Sequence, residues 1–328
     1  MINQTSAAAT ETAIDPEFAI CDPHHHLWDY RDSRYLVDEF LGDLAGGHRV
    51  DCTVYVECRH DWRTDGPESL RPVGETEYVA ELTAASQGGD STRVAAGIVA
   101  FADLTLGADV RAVLQAQLAA SDRVRGIRYL SAWDVSDKVH NSQTKPPQHL
   151  LLDPGFQAGF AQLKDFDLVF DAWVYHPQIP DVTQLARRFP EQTIVLNHVG
   201  GPLGIGPYKD RRSEVFDVWQ PAIEELASCA NVQVKLGGLA MSMAGFGWHK
   251  RDVPPGSQEL ADAMAPYFRT CIDAFGSDRC MFESNFPVDK VSCSYTTLWN
   301  AFKLVAREYS ARERAALLHD TAVRTYRL

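Results

Sequence analysis

Two histidines placed two residues apart are the first candidates for chemistry in this chain. His24 and His26 lie in the segment Asp22-Pro-His-His-His-Leu-Trp28, at the end of the first predicted β-strand. Side chains two apart on a strand emerge on the same face, so these imidazoles point one way and His25 points the other. Two imidazoles on one face are able to share a divalent cation.

Two later apolar segments end in further polar candidates. His198 closes Thr-Ile-Val-Leu-Asn-His, and Val-Gly-Gly-Pro then interrupts the strand. The segment Cys-Met-Phe-Glu-Ser-Asn-Phe-Pro carries Glu283 and Asn285 on one face and Ser284 on the other. A buried carboxylate is costly unless it is paired. We therefore expect Glu283 either to join the histidines around a cation or to form a salt bridge below them.

Other polar and aromatic residues near predicted strand ends are candidates for binding substrate. Arg128 ends the fourth apolar segment, and its planar guanidinium suits a carboxylate. His176 directly follows the fifth apolar segment, where it contacts either substrate or only its own loop. Lys235 faces inward on the seventh apolar segment. It either contacts substrate or forms an ion pair with Asp171. Trp28 follows the histidines and either lines a pocket or packs in the core.

Eight short apolar segments alternate with segments of helical periodicity. The predicted strands are 18–26, 50–58, 93–101, 124–130, 168–175, 193–199, 232–236 and 280–286, and helical patterns include 75–86, 108–120, 156–164, 182–189, 213–228 and 259–275. This alternation predicts parallel strands joined by helices, and eight such units close as a (β/α)8 TIM barrel. The alternative, a doubly wound open sheet, calls for a Gly-rich turn after the first strand, where this chain has histidines.

The composition excludes some classes of partner. The chain has 328 residues, of which 45% are hydrophobic, and a formal net charge of −13 at pH 7. Nucleic acids and anionic membranes bind clustered lysine and arginine, so we expect neither as a partner. No segment approaches the roughly 18 consecutive apolar residues that span a bilayer.

The N-terminus and the cysteines indicate the compartment. Residues 1–16 have neither the basic nor the apolar region of a signal peptide, and we expect a disordered tail followed by a single barrel domain over 17–328. The cysteines are odd in number and form no CxxC pair, which predicts reduced thiols in a cytoplasmic protein. They are Cys21, Cys52, Cys58, Cys229, Cys271, Cys280 and Cys293.

Three motifs, taken in chain order, resemble amidohydrolase family 2. They are Asp22-Pro-His-His-His-Leu-Trp28, Asn197-His-Val-Gly-Gly-Pro202 and Phe282-Glu-Ser-Asn-Phe-Pro287. The resemblance covers nearly the whole chain after about residue 16. Within the superfamily the chain is similar to the branch that contains sugar-lactone hydrolases and the lactonase of 2-pyrone-4,6-dicarboxylate. The motifs are specific for the family and not for a substrate.

The resemblance implies a metal-binding reaction centre. It implies that His24, His26 and His198 line the centre and hold one divalent ion, and we expect Glu283 as a further ligand of this ion. Zinc is the first expectation for this ion and manganese the second, with a metal-free mechanism as the alternative. Arg128 resembles the arginine that holds a substrate carboxylate in family members.

The chain departs from the family pattern at one central position. The family usually has an aspartate on strand eight as a metal ligand or as the general base for water, and here that position is Asn285. An amide does not accept a proton at neutral pH. We rank Glu283 first as the substitute base and Glu57 second, with Asp289 also available. His198 is the remaining catalytic candidate, and hydroxide bound to the metal is another route.

We therefore expect a hydrolase that acts on a small-molecule substrate, a carboxylated cyclic ester (lactone) or a related acyl bond. Non-oxidative decarboxylation of a hydroxylated aromatic acid is an alternative, since other members of the family use the same constellation for it. A barrel that binds a small molecule without turnover is a third hypothesis. Base rates alone suggest a homodimer.

Overall fold

The computed structural model describes residues 11–30, 32–88 and 91–328. Its strands are β1 (Ile20–His25), β2 (Trp28–Tyr30), β3 (Ser33–Tyr35), β4 (Val50–Val56), β5 (Arg93–Phe101), β6 (Val124–Leu130), β7 (Val169–Trp173), β8 (Ile194–Leu196), β9 (Val232–Leu236) and β10 (Cys280–Phe282). Strands β2 and β3 form a separate antiparallel hairpin, and the other eight form one parallel sheet in the order β1-β4-β5-β6-β7-β8-β9-β10. The predicted TIM barrel is confirmed.

The first and last strands meet through the residues that carry the motifs. His25 pairs with Phe286 in a parallel bridge. The backbone N–H of His26 donates to the carbonyl of Phe286 at 2.8 Å, and the N–H of Asn285 donates to the carbonyl of His24 at 2.9 Å. These bonds bring the histidines of β1 beside Asn285 at the C-terminal mouth of the barrel.

The helices connect successive strands of the barrel or follow the last one. They are α1 (Val37–Leu44), α2 (Val73–Leu82), α3 (Val110–Ala120), α4 (Pro154–Phe160), α5 (Ile179–Arg188), α6 (Arg212–Ala227), α7 (Ser257–Phe275), α8 (Tyr295–Ala306), α9 (Ala311–Ala315) and α10 (Thr321–Tyr326). All six predicted helical patterns are present, with ends that differ by a few residues. The prediction missed the short β2–β3 hairpin and also α1, although Val37, Phe40, Leu41 and Leu44 have the i, i+3, i+4, i+7 spacing of an amphipathic helix.

Five predicted strands end earlier than expected, and two of them differ by three or four residues. Predicted strands 193–199 and 280–286 are observed as Ile194–Leu196 and Cys280–Phe282. His198, Val199 and Asn285 have φ angles of 55°, 48° and 55°, a left-handed conformation outside the β region. These sharp turns direct the polar side chains at the strand ends into the mouth of the barrel.

The C-terminal helix α10 closes the bottom of the barrel over a buried ion pair. Lys235 on β9 donates to Asp171 on β7 at 2.6 Å, and both side chains are fully buried. Tyr326 on α10 donates its hydroxyl proton to the same carboxylate, with O···O distances of 2.9 and 3.1 Å. Asn197 donates to Asp171 at 2.8 Å. The pairing of Asp171 with Lys235, which the sequence left open, is thus present in the structure.

The N-terminal segment and the cysteines were also subjects of prediction. Residues 1–10 of the predicted tail lie outside the described residues, whereas Glu11 accepts hydrogen bonds from Ser257 and Asn300 at 2.7 and 2.9 Å and Ile14 donates to Asn300. All seven cysteines are free thiols. Among the described residues, no helix combines the length and apolarity needed to cross a membrane.

The buried pair makes a prediction about stability. Asp171→Asn leaves the Lys235 ammonium buried without a counter-charge, so we expect the free energy of unfolding to fall by about 3–5 kcal/mol. Tyr326→Phe removes one hydroxyl and keeps the ion pair, so its expected cost is about 1 kcal/mol. Urea unfolding followed by circular dichroism measures both. Equal losses for the two variants would contradict this account.

Candidate active site

A buried carboxylate contacts two histidines at the mouth of the barrel. Oε1 of Glu283 accepts hydrogen bonds from Nδ1 of His198 at 2.6 Å and from the backbone N–H of the same residue at 3.0 Å. Oε2 lies 2.8 Å from Nδ1 of His24. Among the described residues, His24, His198 and Glu283 form the group whose ligand atoms all lie within 4.8 Å of one another. The structure thus brings three of the four expected metal-binding residues together.

Two glycines after β9 make room for this group. Gly238 has a φ of 69°, and a Cβ there would lie 2.5 Å from Cγ of His198. A Cβ at Gly237 would clash with the side chain and the backbone of Glu283. Both positions therefore require glycine, because any side chain would displace the histidine or the carboxylate. The predicted site did not include this pair. Two adjacent glycines directly after a predicted strand are the sequence feature that indicates them.

The group lies beside a cavity of about 330 Å³. The walls include aromatic and apolar side chains from the loops above the strands, together with the polar groups of the site. The lining residues are His26, Trp28, Tyr30, Cys58, Arg128, Leu130, Gln143, Trp173, His198, Met241, Asn285 and Val288. Of the two alternatives for Trp28, pocket lining and core packing, the structure has Trp28 in the lining of the cavity. Gln143, Met241 and Val288 were missed because they belong to irregular segments without a motif.

His26 lies next to the group but outside it. Its ring centroid is 5.0 Å from that of His24, and its Nδ1 contacts the carbonyl oxygen of Val56 at 2.7 Å. A carbonyl only accepts, so Nδ1 carries the proton and Nε2 is left as an acceptor in the lining of the cavity. Burial, together with the charge of Arg128, lowers the pKa of His26 well below its usual value. The ring is therefore neutral at pH 7.

His24 is neutral for the same reason. Burial is the main cause that lowers the pKa of His24 well below its usual value, and the ammonium of Lys235 adds to the effect. Nζ of Lys235 lies 3.4 Å from Nδ1 of His24, and a guanidinium nitrogen of Arg128 lies 3.3 Å from Nε2. Neutral imidazole is the form that binds a metal or accepts a proton.

Arg128 lines the cavity, but most of its charge is already paired. Its Nε donates to Oε1 of Glu57 at 2.7 Å, and a terminal nitrogen donates to the backbone carbonyl of Glu57. Both side chains are almost completely buried. The guanidinium fork expected to hold a substrate carboxylate is thus occupied by a carboxylate of the protein itself. Only one terminal nitrogen, the one near His24, is directed away from Glu57.

Two residues predicted to contact substrate lie away from the cavity. Lys235 is fully buried against Asp171 and is absent from the lining, so its ion-paired alternative describes it. His176 is buried in the loop after β7, where it accepts from the N–H of Leu203 at 3.4 Å and its ring packs against Tyr208. Its position past the end of the strand turns it into the loop, so the loop-contact alternative is correct.

The carboxylates ranked as bases are also engaged. Glu283 contacts both imidazoles and Glu57 is paired with Arg128. Asn285 lines the cavity and donates from Nδ2 to Oδ1 of Asp289 at 3.0 Å. Asp289 itself is completely buried behind Asn285 and does not line the cavity. The position where the family usually has an aspartate therefore offers an amide to the ligand.

The donor set of the group fits a divalent ion. Two imidazoles and one carboxylate are ligands that zinc takes in hydrolases. Oε2 of Glu283 is buried, and its short contact with His24 is not aligned as a hydrogen bond, so this oxygen has no donor among the described residues. A buried carboxylate oxygen without a donor is satisfied by a cation.

A family model described as amidohydrolase matches residues 21–328. The chain belongs to the amidohydrolase family. The motifs that suggested this family are the ones that form the group of His24, His198 and Glu283, and the match confirms the predicted family and the expectation of a hydrolase.

Relatives and solved structures match over most of the chain. This amidohydrolase is 30% identical to the uncharacterized protein y4mH of Sinorhizobium fredii, over 95% of this chain and 99% of the relative. It is 28% identical to an L-fucono-1,5-lactonase of Burkholderia multivorans, over 94% of this chain and 95% of the relative. A crystal structure of a Burkholderia multivorans amidohydrolase with bound zinc has a TM-score of 0.74 and 25% identity, over 94% of this chain and 99% of that one.

A second buried carboxylate supports the wall of the cavity. Glu75 on α2 accepts from the hydroxyl of Tyr55 at 2.8 Å, the N–H of Cys58 at 2.6 Å and the indole of Trp62 at 3.0 Å. These bonds fix the segment that follows β4 and leads to Cys58 in the lining. Burial, with the nearby charge of Glu57, raises the pKa of Glu75 to about 7.

This shift predicts how stability depends on pH. The pKa of Glu75 is higher in the folded protein than its ordinary value of 4.5, so between these pH values the folded state binds the extra proton and the free energy of unfolding falls as pH rises. We expect a loss on the order of 3 kcal/mol between pH 5 and 7.5 from this group. Glu75→Gln should remove that loss. An unchanged slope in urea unfolding of the variant would refute the assignment.

Proposed function

We propose that this amidohydrolase hydrolyses the ester bond of a small lactone that carries free hydroxyl groups. The observation that carries the proposal is the convergence of His24, His198 and Glu283 beside a cavity that Arg128 also lines, with one guanidinium nitrogen directed away from Glu57 and 3.3 Å from Nε2 of His24. The similarity to an L-fucono-1,5-lactonase supports a lactone as the substrate. A cavity of about 330 Å³ is at the small end of ligand pockets, which suits a single ring.

The polarity of the cavity favours hydroxyl groups over carboxylates on the substrate. Nε2 of His26 is an acceptor, and the charge of Arg128 is compensated by Glu57. Among the side chains that line the cavity, a substrate carboxylate would therefore find acceptors and no uncompensated cation beyond the metal ion proposed below, whereas a hydroxyl group would find partners for its proton. Trp28 and Trp173 offer apolar faces to the carbon skeleton of the ring. This changes the expected substrate from a carboxylated lactone to a neutral one.

A divalent ion, with zinc as the first choice and manganese as the second, would be held by His24, His198 and Glu283. When bound, such an ion polarises a carbonyl and lowers the pKa of water to about 7. The residues of the chain supply the remaining functions. The guanidinium nitrogen of Arg128 near His24 carries two N–H groups, and one of them donates to the carbonyl oxygen of the lactone and stabilises the negative charge that develops there. The aromatic walls exclude bulk water from the ring.

Proton transfer is assigned to His26. Its Nδ1 proton is held by the carbonyl of Val56, so Nε2 accepts a proton from the attacking water. The water oxygen bonds to the carbonyl carbon, the ring C–O bond then breaks, and the proton on Nε2 passes to the leaving alkoxide. The product is the open hydroxy acid. Because burial lowers the pKa of His26, the imidazolium gives this proton up readily to the far more basic alkoxide.

The proposed metal site makes a quantitative prediction. Protein stripped of metal and titrated with zinc in a calorimeter should bind one equivalent, and Glu283→Gln should weaken binding at least 100-fold because one anionic ligand is lost. Glu75→Gln is a matched control, since it neutralises another buried carboxylate outside the group. Equal affinity of wild type and Glu283→Gln would show that the ion, if bound, lies elsewhere.

Activity is tested with a panel of neutral hydroxylated lactones and of carboxylated lactones, with acid release followed in a pH-stat. We expect turnover of a hydroxylated lactone, and His26→Gln should lower kcat by about 10²–10⁴-fold with little change in KM, the usual contribution of a general base. Carbon dioxide release from hydroxylated aromatic acids would instead support decarboxylation. Absence of any turnover, with ligand binding retained, would support the non-catalytic alternative.

A further inference from the structure

We infer that Asp289 is a positioning residue that fixes the carboxamide of Asn285, so that Asn285 presents a hydrogen-bond acceptor, and not a donor, to the substrate. This inference rests on the proposed function and deepens it, because it names the group that reads a hydroxyl of the lactone. Asp289 makes no contact with the cavity and acts only through Asn285.

The backbone already fixes the place of both side chains. Asn285 has a φ of 55°, a left-handed conformation that asparagine tolerates better than most residues. Its N–H donates to the carbonyl of His24 at 2.9 Å, and the N–H of Asp289 donates to the carbonyl of Asn285 at 3.1 Å. The turn from Asn285 to Asp289 is therefore closed on itself and attached to β1. Rotation about the side-chain bonds of Asn285, which sets the direction of its carboxamide, is the freedom that remains.

The contact with Asp289 removes that freedom. Nδ2 of Asn285 donates to Oδ1 of Asp289 at 3.0 Å, and Asp289 is 0% exposed. Either oxygen of a carboxylate accepts, and so does the carbonyl oxygen of a carboxylic acid, so this contact does not depend on the charge of Asp289. With Nδ2 turned inward, Oδ1 is the atom of the carboxamide that is left for the cavity.

The orientation has a chemical consequence at the site. Oδ1 of Asn285 is an acceptor in the lining separate from Nε2 of His26, which the proposed mechanism uses for the attacking water, so this side of the cavity is suited to an O–H donor of the substrate. An aspartate at position 285 would instead place two carboxyl groups about 3 Å apart, where like charges do not both ionise. Asn285 and Asp289 thus form a complementary pair, with the amide facing the substrate and the carboxyl group behind it.

The test compares two substitutions of Asp289. Asp289→Leu has a similar shape and no acceptor, so the carboxamide of Asn285 becomes free to rotate. We expect kcat/KM for the hydroxylated lactone to fall about 10- to 100-fold, mainly through KM, while kcat/KM for the deoxy lactone that lacks the recognised hydroxyl changes less than threefold. Asp289→Asn retains a carbonyl acceptor, so it should recover at least tenfold over Asp289→Leu. A general structural defect would instead lower kcat/KM equally for the hydroxylated and the deoxy lactone.

A measurement that does not use turnover separates this inference from the proposed function. The side-chain NH₂ of Asn285, assigned in NMR spectra by its loss in Asn285→Ala, should exchange with solvent at least tenfold faster in Asp289→Leu than in wild type. If wild type hydrolyses no lactone but this protection is present, the proposed function fails and the positioning role stands. If the NH₂ is unprotected in wild type, or if Asp289→Leu keeps full discrimination against the deoxy lactone, the inference is wrong. Thermal unfolding of each variant checks that it is folded.

Discussion

The site depends on one buried carboxylate that is shared by two histidines from distant parts of the chain. Glu283 is completely buried, and ionising it there costs several kcal/mol unless its oxygens find partners. The left-handed turn at His198 lets one oxygen accept from both the backbone N–H and the ring of the same residue. The second oxygen faces His24 and lacks an aligned donor. Glu283 thus fixes the rings and leaves a negative charge where a cation is favoured.

Around this carboxylate, two buried cations are each paired with a carboxylate of the protein. Lys235 is neutralised by Asp171 below the site, and Arg128 is neutralised by Glu57 beside it. A buried charge without a partner would destabilise the barrel, so these pairs are required for stability. They also leave the side chains of the cavity without an uncompensated cation of their own. For this reason the arginine expected to bind a carboxylate acts as a donor of a single hydrogen bond in the proposed mechanism.

The amide at position 285 is best understood together with the residue behind it. In a family where strand eight usually ends in an aspartate, this chain has Asn285 in the lining and the carboxyl group of Asp289 one turn later. Both residues belong to the turn that follows β10, and this turn is hydrogen-bonded to β1. The proposed mechanism therefore assigns proton transfer to His26, whose Nε2 is an acceptor because its other nitrogen is held by a backbone carbonyl.

The sequence by itself determined the barrel, the family and the convergence of β1, β8 and β10 at one mouth. Few folds are compatible with eight apolar segments that alternate with helical patterns. When eight parallel strands close into a barrel, the motifs at their C-terminal ends meet at one mouth. Tertiary structure alone decided which charges are paired, because the contacts of Glu57 with Arg128 and of Lys235 with Asp171 span 71 and 64 residues. It also decided the tautomer of His26 and the orientation of Asn285. Periodicity along a chain reports the face on which a side chain lies, whereas its hydrogen-bond partners depend on distances between strands that only the folded ring sets.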